Sequence, residues 1–411
     1  MEKMNVDLVL KNCKIVTSKE IIEANIAVDN GKIFEIKKTA HTPKAEETID
    51  LKGKIVLPGA IDPHVHFRDP GKTHKEDFYT GTLSAAFGGV TTVLDMPNNN
   101  PDIDSNAALE LKRKEIKKKA VVDYGLYAEV HDKNVEKIDK VNAFAYKAYL
   151  DEKISYENLQ IALNKLKGKI IAVHPEDRKT VEKKEGRPLE AELKAIENIV
   201  KCNFNRNKIH FSHCTTKKSL DLIRNCQNST VEVNIPHLFF DTNYKEELGY
   251  FIKMKPPVRT REEREELWKN LDRVDCLSTD HAPHTLEEKE LENPPNGIPS
   301  IELFLPLLID YAYRGKLEWI EIARLSSEGA AKTFGLENKG LIEKGKDADL
   351  VVVSKDEWKK VKAEELHSKC GWSPYNNWEL RGKIEKVFLR GNLIVEIDEF
   401  VGKKGAGKEL F

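Results

Sequence analysis

The chain has 411 residues, 40% hydrophobic and 33% charged, enough to bury a sizeable core and too apolar to stay disordered. Its 67 Lys and Arg balance 68 Asp and Glu to a formal charge of −1, which argues against a nucleic-acid protein held by bulk positive charge. No apolar run is long enough to span a bilayer, the opening MEKMNVDLVLKNCKIV is too charged for a secretory signal, and the six cysteines form no C-x-x-C pair. These features predict an enzyme-sized globule of the cytoplasm with reduced thiols.

In chain order, the first 57 residues read as short strands: VDLVLKNCKIV, IIEANIAVDNGKIFEIKK and TIDLKGKIVLP, with Asp29-Asn30-Gly31 as a hairpin turn. From 58 to 337 the pattern changes. Eight apolar runs (GAIDPHVHF, VTTVLDM, VVDYGLYAEV, AFAYKAYL, KIIAVHP, KIHFSHC, TVEVNIPHL and VDCLSTDHAP) are separated by amphipathic stretches such as DSNAALELKRKEIKKK and LEAELKAIENIVKC. Strands followed by helices must run parallel, and eight such units in roughly 250 residues predict an α/β fold, a (β/α)8 TIM-like barrel. An open doubly wound sheet is the alternative, but no glycine-rich nucleotide loop supports it. Strands return in DADLVVVS and KIEKVFLRGNLIVEI, with a turn at Arg390-Gly391-Asn392. Residues 1–57 and 338–411 are therefore expected to build one small composite β domain, a β-sandwich, around the 58–337 barrel. The Gly- and Lys-rich end, GKKGAGKELF, is expected to be mobile.

The barrel strands share an oddity: nearly every one ends in a residue that an apolar strand disfavours. These are His64 and His66, Asp95, Glu129, Lys147, His174, His213, His237 and Asp280. In a barrel the C-terminal strand ends converge on one mouth, so residues distant in sequence become neighbours. His64 and His66, two apart, share one face of a strand at about 7 Å. With His174, His213 and Asp280 at other strand ends, the set reads as a metal centre. His41, His74, His131, His210 and His367 fall in helices, loops or off-mouth positions and read as solvent or core residues. His281 reads as structural, and His237 is either a mouth-lining or a core residue. Lys147 lies in an otherwise apolar run. It either snorkels to the mouth or is a neutral amine that captures carbon dioxide as a carbamate able to bridge two metal ions.

IDPHVHFRDPG (61–71), GGVTTVLDMPNNNP (88–101) and DHAPHTLEEK (280–289), with NGIPSIE downstream, resemble the amidohydrolase superfamily, and within it the dihydroorotases. The likeness runs over nearly the whole chain. It implies a (β/α)8 barrel with one or two zinc ions at its mouth. His64, His66 and Asp280 would hold the more buried ion, His174 and His213 the second, and carboxylated Lys147 would bridge them. It further implies that Arg68, Asn98 and His284 hold the substrate carboxylate, that Asn296 and Gly297 contact the ring, and that His66 borders the substrate. Two departures stand out. Lys255 in MKPPVR occupies a place where many relatives have a substrate-contacting Asn, and the seventh strand ends in PHL where relatives often show adjacent histidines.

The implied reaction is reversible hydrolysis of dihydroorotate to N-carbamoyl-aspartate in pyrimidine biosynthesis. Metal-bound hydroxide would be the nucleophile and Asp280 the general acid and base. The expected partner is this small molecule, with no nucleic acid and no membrane. Relatives are often homo-oligomers, and some associate with aspartate transcarbamoylase. Two other readings compete. A hydantoinase or dihydropyrimidinase would leave the Arg68, Asn98 and His284 cradle idle, because its substrates lack the ring carboxylate. A non-catalytic scaffold would have lost metal ligands, which here are all present.

Overall fold

The computed structural model describes residues 5–38, 41–201, 208–354 and 357–411. Five strands open the chain: β1 (Val6–Val16), β2 (Ile21–Asp29), β3 (Lys32–Lys37), β4 (Ala45–Asp50) and β5 (Ile55–Pro58). β2 and β3 form the expected hairpin, with Asp29 paired to Lys32. Asn30 (φ 50°) and Gly31 (φ 75°) take the left-handed conformations that a two-residue turn of this hand requires.

Eight parallel strands follow: β6 (Ala60–Val65), β7 (Val90–Asp95), β8 (Asp123–Val130), β9 (Ala145–Tyr149), β10 (Ile170–His174), β11 (Lys208–Phe211), β12 (Ser229–Asn234) and β13 (Cys276–Ser278). They pair in sequence order from β6 to β13. Beyond the last strand, His66 N donates to His281 O at 2.8 Å and Val65 bridges His281, bringing the two ends of the sheet together into a barrel. Most of these strands are buried along their whole length, because helices cover the outer face and side chains fill the inner one. Side-chain caps start many of the covering helices. Asp77 forms a reciprocal capping box with Thr80 ahead of Phe78–Phe87, Ser155 caps Tyr156–Lys165, and Thr216 caps Lys217–Ile223.

The chain closes with β14 (Leu350–Val353), β15 (Trp358–Lys360), β16 (Glu379–Arg381), β17 (Ile384–Leu389), β18 (Asn392–Glu396) and β19 (Glu399–Phe400). β14, β17, β18 and β19 join β1–β5 in one nine-stranded sheet, in which β5 pairs with both β1 and β14. Apolar side chains from both ends of the chain, including Leu10, Ile15, Ile26, Val56, Leu350, Val352 and Phe388, share a core separate from that of the barrel. At the junction, Lys339 Nζ reaches Asp123 of β8 and Asp349 at 2.7 Å each and Asp347 at 3.1 Å. This acidic trio carries its own buried ammonium.

Two expectations need correction. The seventh barrel strand stops at Asn234. Pro236 then opens a short helix, Ile235–Phe239, because proline suits the first helical turn and cannot donate to a ladder. His237 therefore sits on that helix, and its Nε2 donates to Pro256 O at 3.1 Å. The terminal tail is docked, not free. Tyr124 N donates to Lys408 O, Leu410 N to Tyr124 O and Lys408 N to Asp123 Oδ1, at 2.7–2.9 Å, while Glu409 pairs with Arg113 at 2.7 Å. Its alternating backbone donors and acceptors run along the start of β8, which composition alone could not show. Cys202 lies outside the described residues, and the other five cysteines are unpaired thiols. Among the described residues, no helix is long and apolar enough to cross a membrane.

Candidate metal centre

The polar strand ends meet at the barrel mouth. His64, His66 and Asp280 bring one ligand atom each to within 4.8 Å of one another. His66 Nε2 lies 3.0 Å and His64 Nε2 3.5 Å from Asp280 Oδ1. Beside them, His174 Nδ1 faces His213 Nε2 at 2.9 Å, and the His64 and His213 ring centroids are 5.3 Å apart. Lys147, on β9, is fully buried, with Nζ donating to Ser212 Oγ at 2.6 Å. It does not snorkel to solvent.

Burial weighs on His66, His213, Lys147 and Asp280. It pushes His66 down to about 4, helped by Arg68 and His64 and opposed by Asp280. His213 is driven well below its ordinary value by burial and by His174 and Lys147. Lys147 falls to about 8, burial outweighing the attraction of Glu232 and Asp280. For Asp280, burial is outweighed by His64, His66 and Lys147, so the carboxyl stays below the usual range. Imidazole nitrogens converging on one another and on a carboxylate are the donor set that a divalent metal needs. Among the described residues His213 Nδ1 is buried with no hydrogen-bond partner, so its ring is anchored from the backbone and from its Nε2 side. The residues fit a metal.

The outward-facing nitrogens are also fixed. His64 Nδ1 lies 2.5 Å from Glu232 Oε1, which also accepts from His213 N at 3.2 Å, while Glu232 Oε2 lies 3.1 Å from His210 Nε2. Burial would raise the Glu232 carboxyl, but His64 and His210 hold it below the usual range. His174 Nε2 meets Glu176 Oε2 at 2.7 Å, and Glu176 and Asp151 share Arg187. His66 Nδ1 lies 2.6 Å from Asn98 Oδ1. Such partners set the tautomer and aim of a ligating ring. Arg68 (φ 61°), His213 (φ 40°) and Asp280 (φ 49°) are all left-handed non-glycine residues, a strain of roughly 1 kcal/mol or more each that collects where function needs a fixed side chain.

Above this cluster is a cavity of about 100 Å³, whose wall includes Arg68, Asn98, Asp280, Asn296 and Gly297. Arg68 Nε donates to Pro283 O at 3.2 Å, and its Nη2 lies 3.2 Å from His284 Nε2, which also meets Asn296 O at 3.0 Å. Burial, with Arg68 and Lys75 nearby, pushes His284 down to about 3, so it is neutral beside the guanidinium. Asp69 does not pair with Arg68, and its partner is Lys119 at 2.7 Å. Gly297 (φ 133°) is required where it stands, because a Cβ there would lie 2.4 Å from Ala282 O.

The four histidines and Asp280 thus meet at the mouth, Lys147 is buried on β9 against Ser212, and Arg68, Asn98, Asn296 and Gly297 line one cavity, with His284 contacting Arg68 and Asn296. Sequence reasoning passed over Glu232, Tyr149, Glu152 and Lys153, although Tyr149, Glu152 and Lys153 line the same cavity. Glu232 carried the signal that marked Lys147, a charge inside an apolar strand. Lys255 also reaches the cavity wall, anchored to Asp151 at 3.4 Å and to Glu152.

Comparison with known proteins agrees with this geometry. The amidohydrolase family matches residues 55–394. The dihydroorotase of Pyrococcus furiosus is 36% identical over 396 residues, covering 95% of this chain and 93% of the relative. That of Pyrococcus abyssi is 37% identical over 396 residues, covering 95% of each. Among solved structures, the L-hydantoinase (dihydropyrimidinase) of Arthrobacter aurescens superposes with a TM-score of 0.95 at 27% identity, covering 98% of this chain and 99% of that one. With its eight-stranded barrel, its histidine-rich mouth and relatives matched over nearly their full length, the chain belongs to the amidohydrolase family, among its dihydroorotase-like cyclic amidohydrolases.

Proposed function

We propose that the protein is a cytoplasmic dihydroorotase, interconverting (S)-dihydroorotate and N-carbamoyl-L-aspartate in pyrimidine biosynthesis. In this reading residues 58–337 are the catalytic barrel, and residues 1–57 with 338–411 are the β domain that supports it. The observation that supports the reading is that Arg68 and Asn98 line one small cavity with the histidine cluster, with His284 held beside Arg68 at 3.2 Å. A hydantoinase would have no ring carboxylate for them to hold.

The donors suit two zinc ions: His64, His66 and Asp280 would hold one and His174 and His213 the other, with Lys147, once carboxylated, as a further ligand. When bound, they supply a Lewis acid for the ring amide and water with a pKa lowered toward ~7. The chain's own residues do the rest. Arg68 offers a planar fork to the substrate carboxylate, which a lysine could not imitate. With His66 Nδ1 donating to Asn98 Oδ1, the Asn98 amide N–H groups are left for that carboxylate. Asn296 and Gly297 bound the ring. Asp280, ionised at rest with its Oδ1 3.0 Å from His66 Nε2, accepts the proton of the attacking water and returns it to the leaving ring nitrogen. In synthesis the same carboxylate handles the protons in reverse.

The test is ring opening of dihydroorotate, hydantoin and dihydrouracil by purified protein, with metal counted on the same sample. Turnover of dihydroorotate alone with about two metals per chain is expected. Turnover of the other rings but not dihydroorotate would overturn the assignment of Arg68, Asn98 and His284. Metal-loaded protein inert to all three would favour the scaffold.

A further inference from the structure

The motif DHAPHTLEEK ends in Lys289, which the mechanism does not use. It closes the short helix Leu286–Lys289 and is fully buried. Among the described residues it makes no ion pair with a carboxylate. Its Nζ instead donates to three backbone carbonyls: Pro295 O at 3.0 Å, Gly297 O at 3.1 Å and Lys253 O at 3.4 Å. The Trp372 ring lies over it, 5.5 Å from Nζ to centroid. Three carbonyl dipoles and an aromatic face make a cage for a cation, and a buried ammonium is kept only where such partners replace water.

The cage adjoins the wall of the cavity, to which Gly297 and its neighbour Asn296 belong. Pro295 and Gly297 flank Asn296, whose carbonyl holds His284, and Gly297 N donates to Lys253 O at 2.9 Å. Lys253 lies two residues before Lys255, and Trp372 Nε1 donates to His284 O at 2.8 Å. One ammonium therefore ties together the loop bearing Asn296 and Gly297, the loop bearing Lys255, and the C-terminal segment that secures His284.

We infer that Lys289 is a positioning residue, a built-in cation that fixes the carboxylate and ring wall of the cavity without touching substrate or metal. The inference rests on the proposed substrate, but the wall can be tested apart from it. In metal-loaded protein, Lys289→Met is expected to raise KM for dihydroorotate by about tenfold to a hundredfold, the scale of a wall displaced by about 1 Å. Metal content is expected to stay unchanged, and amide exchange at Asn296–Ile298 to quicken. In Lys289→Ala, added propylammonium, which replaces the deleted atoms, is expected to restore KM, and propanol is not. Should Lys289→Met fail to fold, Lys289→Gln, which keeps an N–H donor, carries the same comparison with a smaller rise. Unchanged KM and exchange, or rescue by propanol as effective as by propylammonium, would overturn the inference. So would loss of metal alongside the change in KM. Faster exchange in the variant of a protein inert to dihydroorotate would refute the substrate reading and leave the positioning role standing.

Discussion

Glu232 offers the sharpest test of how the metal cluster is built. Its carboxylate faces three donors: His64 Nδ1 at 2.5 Å and His213 N at 3.2 Å on one oxygen, and His210 Nε2 at 3.1 Å on the other. Because one oxygen serves a residue from each candidate metal pair, its loss should weaken both sites together. Losing such a partner costs about 10–100-fold in metal affinity, or about 1.4–2.7 kcal/mol. Glu232→Gln should fall near the lower end. Its carbonyl can still accept from His64 and His213, but its amide turns a donor toward His210. That clash is relieved if His210 moves its proton to Nδ1, 2.9 Å from Thr230 Oγ1. Glu232→Ala leaves all three donors without an acceptor in a dry interior and should reach the upper end. Competition against a graded chelator, read as metal retained per chain, measures both. Wild-type affinity in Glu232→Ala, or weakening at one site alone, would refute the joint role.

Two further outcomes are expected. Asn98→Asp should keep its metals, because a carboxylate still accepts from His66 Nδ1. It should raise KM by about a hundredfold or more, since a charge-assisted hydrogen bond of about 1.5–3 kcal/mol is lost and a like charge gained. Unchanged KM would remove Asn98 from the carboxylate site. The metal-free protein should lose stability as pH falls from about 6.5 toward 4. Burial holds His66 and His237 at about 4, His284 at about 3 and His213 well below its ordinary value, so the unfolded chain binds these protons first. Asp62, raised to about 8 by burial, acts in the opposite direction, as do the raised carboxyls of Asp95, Glu129, Asp275, Asp349 and Glu409, while carboxyls held low, Asp151, Glu176, Glu232 and Asp280 among them, act with the histidines. A urea midpoint that is flat or rising as pH falls through this window would contradict the placement of these rings.

The barrel was legible because its signals are local: apolar runs of strand length, amphipathic stretches between them, and a polar residue where each run stops. The hairpin at Asn30-Gly31 was legible for the same reason, since only a left-handed pair satisfies that turn. What the sequence concealed depends on distant partners. Glu232 in TVEVN shows as a charge inside an apolar strand, but its role is visible only when His64 and His210 are seen on its two oxygens. Lys289 in LEEK looks like a solvated helix end, and only the returning Pro295–Gly297 loop and Trp372 make it a buried cation. The tail GKKGAGKELF has a linker's composition, but β8 offers it free backbone groups and Arg113. His237 was misplaced because IPHL continues the apolar character of the strand while its proline starts a helix.

The sheet shared by the two ends of the chain constrains the order in which the molecule can be completed during synthesis. β5 finds β1 early, but its other edge waits for β14, roughly 290 residues later. At about 5–20 residues per second the ribosome needs roughly 15–60 s to deliver that partner. Throughout that interval the N-terminal strands present an apolar face and an open edge, the surface most prone to pairing with another chain. The barrel, whose strands pair in the order in which they are made, can assemble within the same interval, so the β domain is finished last.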